Sequence, residues 1–420
     1  MKLKSMVAAA VAAVTIVGLS ACGSSGSGKD DNTIVFWTNT TTGAGKQYWE
    51  DIATAYQKKT GVKVKVQAYQ NEDFTNKIST ALQDKSTTPD IFFTNAYSDL
   101  RDRVKAGLLK DVTGKLSLSV KKNMSSSIGS LTYKGKIYGI PVSVAPGGLW
   151  YSNNLFKTAG IDSAPTTISG LSTDVAKLKS ANITPIALGA KDGWPAAHWY
   201  FFFALRGCSA KAFAAGNENW DFSDSCWVKA ADNLVKFSET NPFNDGYLTT
   251  SAQQGAGSSA GLVANHKAAM ELMGAWDPGV MQDLTPDKKP VSDLGFFPFP
   301  SVANGKGTVS EMLSGVDGYV VSANASSHAA DFLNFVANKE NQEKYYTAFA
   351  TIPASSQAQG VVTDSTLKEV LSYYKDASKT YMWFDGNVGT SMNTDVVKLL
   401  AGKMTPQQMV TDIKSAAKKG

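Results

Sequence analysis

The chain has 420 residues, of which 43% are hydrophobic, 10% aromatic and 18% charged. That apolar fraction excludes a disordered chain, the lack of a fixed period excludes collagen-like and coiled-coil arrays, and the length favours two lobes over a single core. The formal charge of +5, or +3 without Lys2 and Lys4, is too small and scattered for a nucleic-acid surface. Arg101, Arg103 and Lys105 alternate with Asp99 and Asp102 and read as a solvated face.

The N-terminus begins with Lys2 and Lys4, followed by an apolar run from Met6 to Leu19. This run is shorter than the roughly 20 residues of a membrane span and suits the h-region of a signal peptide, residues 1–21. Leu19-Ser20-Ala21-Cys22 resembles a bacterial lipobox, in which the cysteine is lipidated and becomes the first residue. Residues 22–32 are a Gly/Ser-rich flexible tether. The expectation is an exported monomer held on the outer face of the cytoplasmic membrane by lipid on Cys22 and by no other membrane contact. In that oxidising setting Cys208 and Cys226 are expected either to pair or to be two separate buried thiols. The three histidines, His198, His266 and His328, are too widely spaced for a zinc site, and neither metal nor cofactor is expected.

Thr33–Trp37 has strand character, Trp49, Ile52 and Tyr56 fall at helical spacing, and Val62, Val64 and Val66 alternate with polar residues. Strand, helix and strand in so short a stretch predict a parallel pair with right-handed crossover, and a helix near 73–83 and a strand at 89–93 extend it. Ligands of open α/β sheets bind beyond the carboxyl ends of the strands. That places Asn39, Thr40 and Asn95 at the rim of a cleft, although these residue types also simply favour turns. Tyr133–Asn154 is extended and punctuated by Gly and Pro, as expected of a segment crossing between lobes. Beyond it come Trp194, Trp199, the run Phe201–Phe203, Trp220, Trp227, Trp276 and the stretch Tyr381–Gly386. Gly318–Ser322 and a helix over 329–338 look like the first lobe resuming.

Several spaced motifs fit one family together: Pro89-Asp90-Ile91-Phe92, Tyr138-Gly139-Ile140-Pro141, Leu149–Ile161, Ala268-Ala269-Met270 leading to Gly274-Ala275-Trp276, Phe297–Pro300 and Gly318–Ser322. With the lipobox and the opening strand, they make the mature chain resemble the extracellular solute-binding proteins of family 1, the carbohydrate-binding subunits of ATP-driven sugar importers. Two positions depart from that family's pattern: Ser152 stands where Asn is common, and His266 where Gly is common. The resemblance implies an α/β, two-lobed periplasmic-binding-protein-like fold (type II) with a hinge between lobes. By analogy the N-terminal lobe is 30–141 plus 313–340, and the C-terminal lobe 142–312 plus 341–420. It further implies a non-catalytic protein that passes a neutral oligosaccharide to the permease of an ABC importer.

A sugar ring has an apolar face and a rim of hydroxyls, so it asks for aromatic plates and for neutral or acidic hydrogen-bonding groups. The candidate plates are Trp276, Trp383 and Trp194, with Trp199 and Phe384 beside them. The candidate polar partners are Asn39, Thr40, Asn95, Asp277, Asp317 and Asp385, with His198 added because Trp194–Trp199 reads as a helix start facing the cleft. Asp277 and Asp317 would equally serve as caps. A secreted glycoside hydrolase would combine the same residue types but needs two carboxyls flanking one bond, and no such pair is marked out. A binding protein for a peptide or polyamine would want a denser acidic cleft, and one for an anion more arginine than Arg101, Arg103 and Arg206.

Overall fold

The computed structural model describes residues 30–94 and 97–419. The signal segment, Cys22 and Asn95 lie outside the described residues. The first described elements are β1 (Thr33–Thr38), α1 (Gly43–Thr60), β2 (Lys63–Ala68), α2 (Asn71–Ala81), β3 (Ile91–Thr94) and α3 (Tyr97–Lys105). β1 lies between β2 and β3 and is parallel to both, as the alternating valines and the βα spacing predict. The carboxylate of the fully buried Asp90 accepts the backbone N–H of Val35 (2.6 Å) and of Ser326 (2.8 Å). The Pro89-Asp90 pair thus stitches the first strand to a turn 236 residues further on.

Two long strands cross the molecule, β4 (Gly139–Ser152) and, much later, β8 (Glu311–Val321). Between them come β5 (Thr184–Ala187), α4 (Trp194–Gly207), α5 (Ala210–Asn219), α6 (Cys226–Ser238), β6 (Ala268–Gly274), α7 (Asp277–Leu284) and β7 (Leu294–Phe297). The main path of the sheet runs β2-β1-β3-β8-β4-β6-β5. β8 is antiparallel to β3 at one end and to β4 along its length, while the second half of β4 pairs with β6 and β7. One sheet therefore runs through both halves. β4 is buried at all but one position, without polar alternation, because both of its faces are covered.

Three apolar cores sit on this frame. One draws on residues 34–142 and 319–345, the latter including helix α8 (Ala329–Val336), and the other two on residues from Val144 onward, including Leu313, Val316 and the C-terminal helices α9 (Gly386–Leu400) and α10 (Pro406–Ala417). The chain changes core between Val142 and Val144 and back between Val316 and Tyr319, both within the paired strands β4 and β8, and crosses a third time between Tyr345 and Ile352. The register of that pair slips between Asp317 and Gly318, a bulge placed at the exchange point. Cys208 and Cys226 are bonded, joining the end of α4 to the start of α6, so the alternative of two free thiols does not hold.

Among the described residues no helix is long and apolar enough to cross a membrane. In the segment 101–105, Asp102 and Lys105 keep the exposed side chains expected of a solvated face, but the two arginines do not. The Arg101 guanidinium lies 4.4 Å over the Trp220 ring, and Arg103 pairs with Asp99 (2.9 Å). A partner distant in sequence covers what local charge alternation made look exposed.

Candidate functional site

The site is built on glycine. Where β4, β6 and β8 lie side by side, Gly147 pairs with Gly274, and Gly315 with Ala145. A Cβ on Gly274 would stand 2.1 Å from the Trp276 ring, one on Gly147 2.6 Å from Trp383, and one on Gly315 2.7 Å from Trp383 Nε1. The two indoles rest directly on strand backbone, which no larger residue would permit. Gly315→Ala is therefore expected to lift Trp383, since overpacking costs roughly 1–3 kcal/mol. Ligand affinity should fall, with a change in the Trp fluorescence spectrum as the independent readout.

Helix α4 supplies the wall. Trp194 and His198 are four residues apart and share a face, as the sequence spacing predicts. The His198 imidazole stacks on Trp383 with ring centres 4.0 Å apart and planes 16° from parallel. Trp276 lies 6.2 Å from Trp194 and 6.3 Å from both His198 and Trp383. Burial drives the His198 pKa down to about 3, so the imidazole is neutral at physiological pH. Nε1 of Trp194, Nε1 of Trp383 and Nδ1 of His198 are buried without a partner among the described residues. The core residues Trp49, Trp199 and Trp227 share that unpartnered N–H. What separates the two groups is access: Trp194, Trp276 and Trp383 are only half-buried, whereas the other three are sealed.

The polar side lies on the crossing strands and beyond β1. Side chains two apart on a strand share a face, so Asp317 follows Gly315 and Ser143 precedes Gly147 on the surface under the indoles. Ser143 Oγ donates to Asp317 Oδ2 (2.9 Å), and burial pushes the Asp317 carboxyl up to about 6. Asn39 donates to Asn71 Oδ1 (3.1 Å) and the Thr40 N–H to Thr38 Oγ1 (3.3 Å), while Thr38 Oγ1 bonds the Tyr319 hydroxyl (2.8 Å). Both Asn39 and Thr40 are half-buried just past the carboxyl end of β1.

Other candidates fall elsewhere. Trp199 is fully buried among Phe237, Phe243 and Phe299, and Phe384 packs on Phe201, Phe213, Phe222 and Trp227, so both belong to the core. Asp385 is half-buried at the start of α9.

Asp277, at the start of α7, is completely buried and faces Glu271, a residue the sequence reading passed over. Glu271 sits on the opposite face of β6 from Gly274, so this acid pair lies behind the sheet rather than among the rings. None of its four oxygens meets a partner in good hydrogen-bond geometry among the described residues. Burial raises both carboxyls, Asp277 to about 7 and Glu271 well above its ordinary range, where the neighbouring Asp277 charge raises it further. Folding therefore takes up a proton. Stability from Asp277 is fullest below the ordinary carboxylate pKa and is lost as pH rises toward 7. Calorimetric Tm values are expected to fall between pH 5 and 8, and Asp277→Asn should flatten that slope; an unchanged slope counts against the pair. Among the described residues no three His, Cys, Asp or Glu side chains group as a metal site.

Residues 39–343 match the family model described as bacterial extracellular solute-binding protein. A multiple sugar-binding protein of Streptococcus mutans is 27% identical over 59% of this chain and 58% of its own length. An uncharacterized ABC transporter extracellular-binding protein of Pyrococcus horikoshii is 26% identical over 81% and 75%. A structure from work on xylan utilization by Caldanaerobius polysaccharolyticus superposes with a TM-score of 0.82 at 24% identity, over 91% of this chain and 99% of that one. A chitin oligosaccharide binding protein superposes at 0.80 with 21% identity, over 92% and 98%. The two-lobed architecture is thus shared, and the chain belongs to the bacterial extracellular solute-binding protein family.

Proposed function

We propose that this protein captures an oligosaccharide, neutral along its body, between two lobes and hands it to the permease of an ABC importer. The observation that carries this reading is the cage of Trp194, Trp276 and Trp383 around a neutral His198, seated on glycines where the chain exchanges one core for another. Indole faces suit the C–H face of a pyranose, and unpartnered neutral donors suit its oxygens, whereas a charged ligand would find no countercharge among these rings. Relatives named for sugar and chitin-oligosaccharide binding support the ligand class. A neighbouring sugar transporter structure, from Bacillus licheniformis in complex with stachyose, supports it too.

The lobes divide where the cores do, and bending of β4 and β8 at the Asp317 bulge closes them. A ligand that contacts both halves favours the closed form by the difference in its affinity for the two states, and the closed form is what a permease would recognise. Export and lipid anchoring at Cys22 would keep the protein, a monomer, beside that permease.

Calorimetry of the mature chain against neutral di- to tetrasaccharides, with short peptides as controls, tests the reading. Heat from at least one sugar is expected; binding of peptides alone overturns it. A glycosidase needs two accessible carboxyls about 5–9.5 Å apart across the scissile bond. The sealed Glu271–Asp277 pair does not offer that, so incubation with the same sugars should release no products.

A further inference from the structure

A cavity of about 490 Å³ lies apart from the indole cage, lined by Arg101, Trp220, Asp221, Phe222, Lys414 and Lys418, among others. Its walls come from both halves. Arg101 is on α3, whose Leu100 belongs to the first core, while Trp220 and Phe222 pack in the second. It is tied to the cage through α5: Asn217, three residues before Trp220, donates to the carbonyl of Met382 (2.9 Å), the residue preceding Trp383.

Three features of this cavity point to an anion. First, Arg101 pairs through Nε with Asp102 (3.3 Å), but its Nη2 is buried with no partner among the described residues, although a buried guanidinium N–H normally finds one. The other two arginines are committed: Arg103 to Asp99, and Arg206 to the carbonyls of Phe299, Thr308 and Glu311. Second, Lys414 and Lys418 face the same space and neither pairs with a carboxylate within 4 Å among the described residues; the one lining acid, Asp221, accepts the Ser223 N–H (2.9 Å) and feels the Lys414 charge only at longer range, so the lining carries three cations to one anion. Third, Trp220 holds a left-handed backbone (φ 59°) at the end of α5, a position that favours glycine. A bulky residue kept there at a cost in strain places its ring under the Arg101 guanidinium, 4.4 Å from ring centre to Cζ.

We propose that this cavity is an end subsite for an acidic sugar unit, in which Arg101 and Lys414 take the carboxylate of a uronic acid at one end of the bound oligosaccharide. The inference rests on the sugar-binding reading and deepens it. Stacking on Trp220 and the contact to Asp102 (3.3 Å) orient the guanidinium in advance, so little side-chain freedom remains to be lost when a carboxylate arrives. A carboxylate bound there would bridge the two halves and favour their closure, while the neutral body of the ligand lies against the indoles.

The test uses whichever neutral tetrasaccharide binds the mature chain and the same sugar oxidised at its terminal C6 to the uronic acid. Calorimetry at low salt is expected to show about ten-fold tighter binding of the oxidised form, as befits one charge-assisted contact, with the advantage shrinking in 0.5 M NaCl. Arg101→Gln and Lys414→Gln should each cost the oxidised sugar more affinity than the neutral one, and so reduce the advantage. Trp220→Phe, which keeps a ring, should preserve most of it. Equal or weaker binding of the oxidised sugar overturns the inference alone. So does an advantage that survives Arg101→Gln, or a loss in Arg101→Gln that is equal for both sugars, which would make the contact a latch between lobes. If no tetrasaccharide binds, the sugar reading and this inference fall together.

Discussion

Trp383→Ala is expected to weaken binding of the cognate oligosaccharide by roughly 30-fold or more, the loss of about 2 kcal/mol usual for a central aromatic anchor. The indole does three things at once. It presents a half-exposed face, it stacks on His198 at 4.0 Å, and it fills the space above Gly147 and Gly315. Truncation therefore removes a plate and leaves its neighbour loose, because among the described residues no other ring lies parallel to His198 at stacking distance. Trp276→Ala should have a comparable effect, since Trp276 contacts Trp194, His198 and Trp383. Trp199→Phe provides the contrast: it sits on the same helix but is sealed in the core, so it should lower Tm and leave affinity nearly intact. Calorimetric affinities and thermal melts of the three variants separate plate from packing. A Trp383→Ala protein that melts normally and binds sugar at wild-type strength would remove the cage from the mechanism.

Much of this arrangement was legible because it follows from short-range rules. Alternating valines gave β2 its exposed and buried faces, and the four-residue interval placed Trp194 and His198 together. The same rule separates Trp199 from both: one and five residues away on a 3.6-residue turn, it belongs to another face of α4, and residue type alone made it look alike. The glycine floor was hidden, since Gly147 and Gly274 read locally as turn residues and acquire meaning only when the 126 residues between them bring them into register. Glu271 was missed for a related reason, although an acid within the apolar run Ala-Ala-Met-Glu-Leu-Met is itself a signal of forced burial. The departures at Ser152 and His266 meet in space. Both side chains bond the carboxylate of Asp293, and His266 keeps the left-handed backbone (φ 53°) that explains why glycine is common there.

Replacing Cys208 and Cys226 together by serine is expected to cost about 3 kcal/mol of stability, the loop-closure entropy released when an 18-residue link is opened in the unfolded chain. The bond closes the segment that contains α5 and Trp220, and it fastens the end of α4 opposite to Trp194 and His198. Both cysteines are buried in the core that includes Phe213, Phe222 and Trp227, so reduction leaves this packing in place and acts chiefly on the unfolded state. The consequence is a separation of effects. Tm should fall by several degrees in the double variant and in wild type under strong reductant, while the neutral oligosaccharide, held by residues outside the loop, keeps its affinity. The Trp220 cavity is the exception, because its strained turn lies inside the loop, so any preference for an oxidised sugar should decline with the bond. A double serine variant that melts like wild type would show that packing alone holds α4 to α6. Equal losses for neutral and acidic ligands would mean that the bond supports the cage itself.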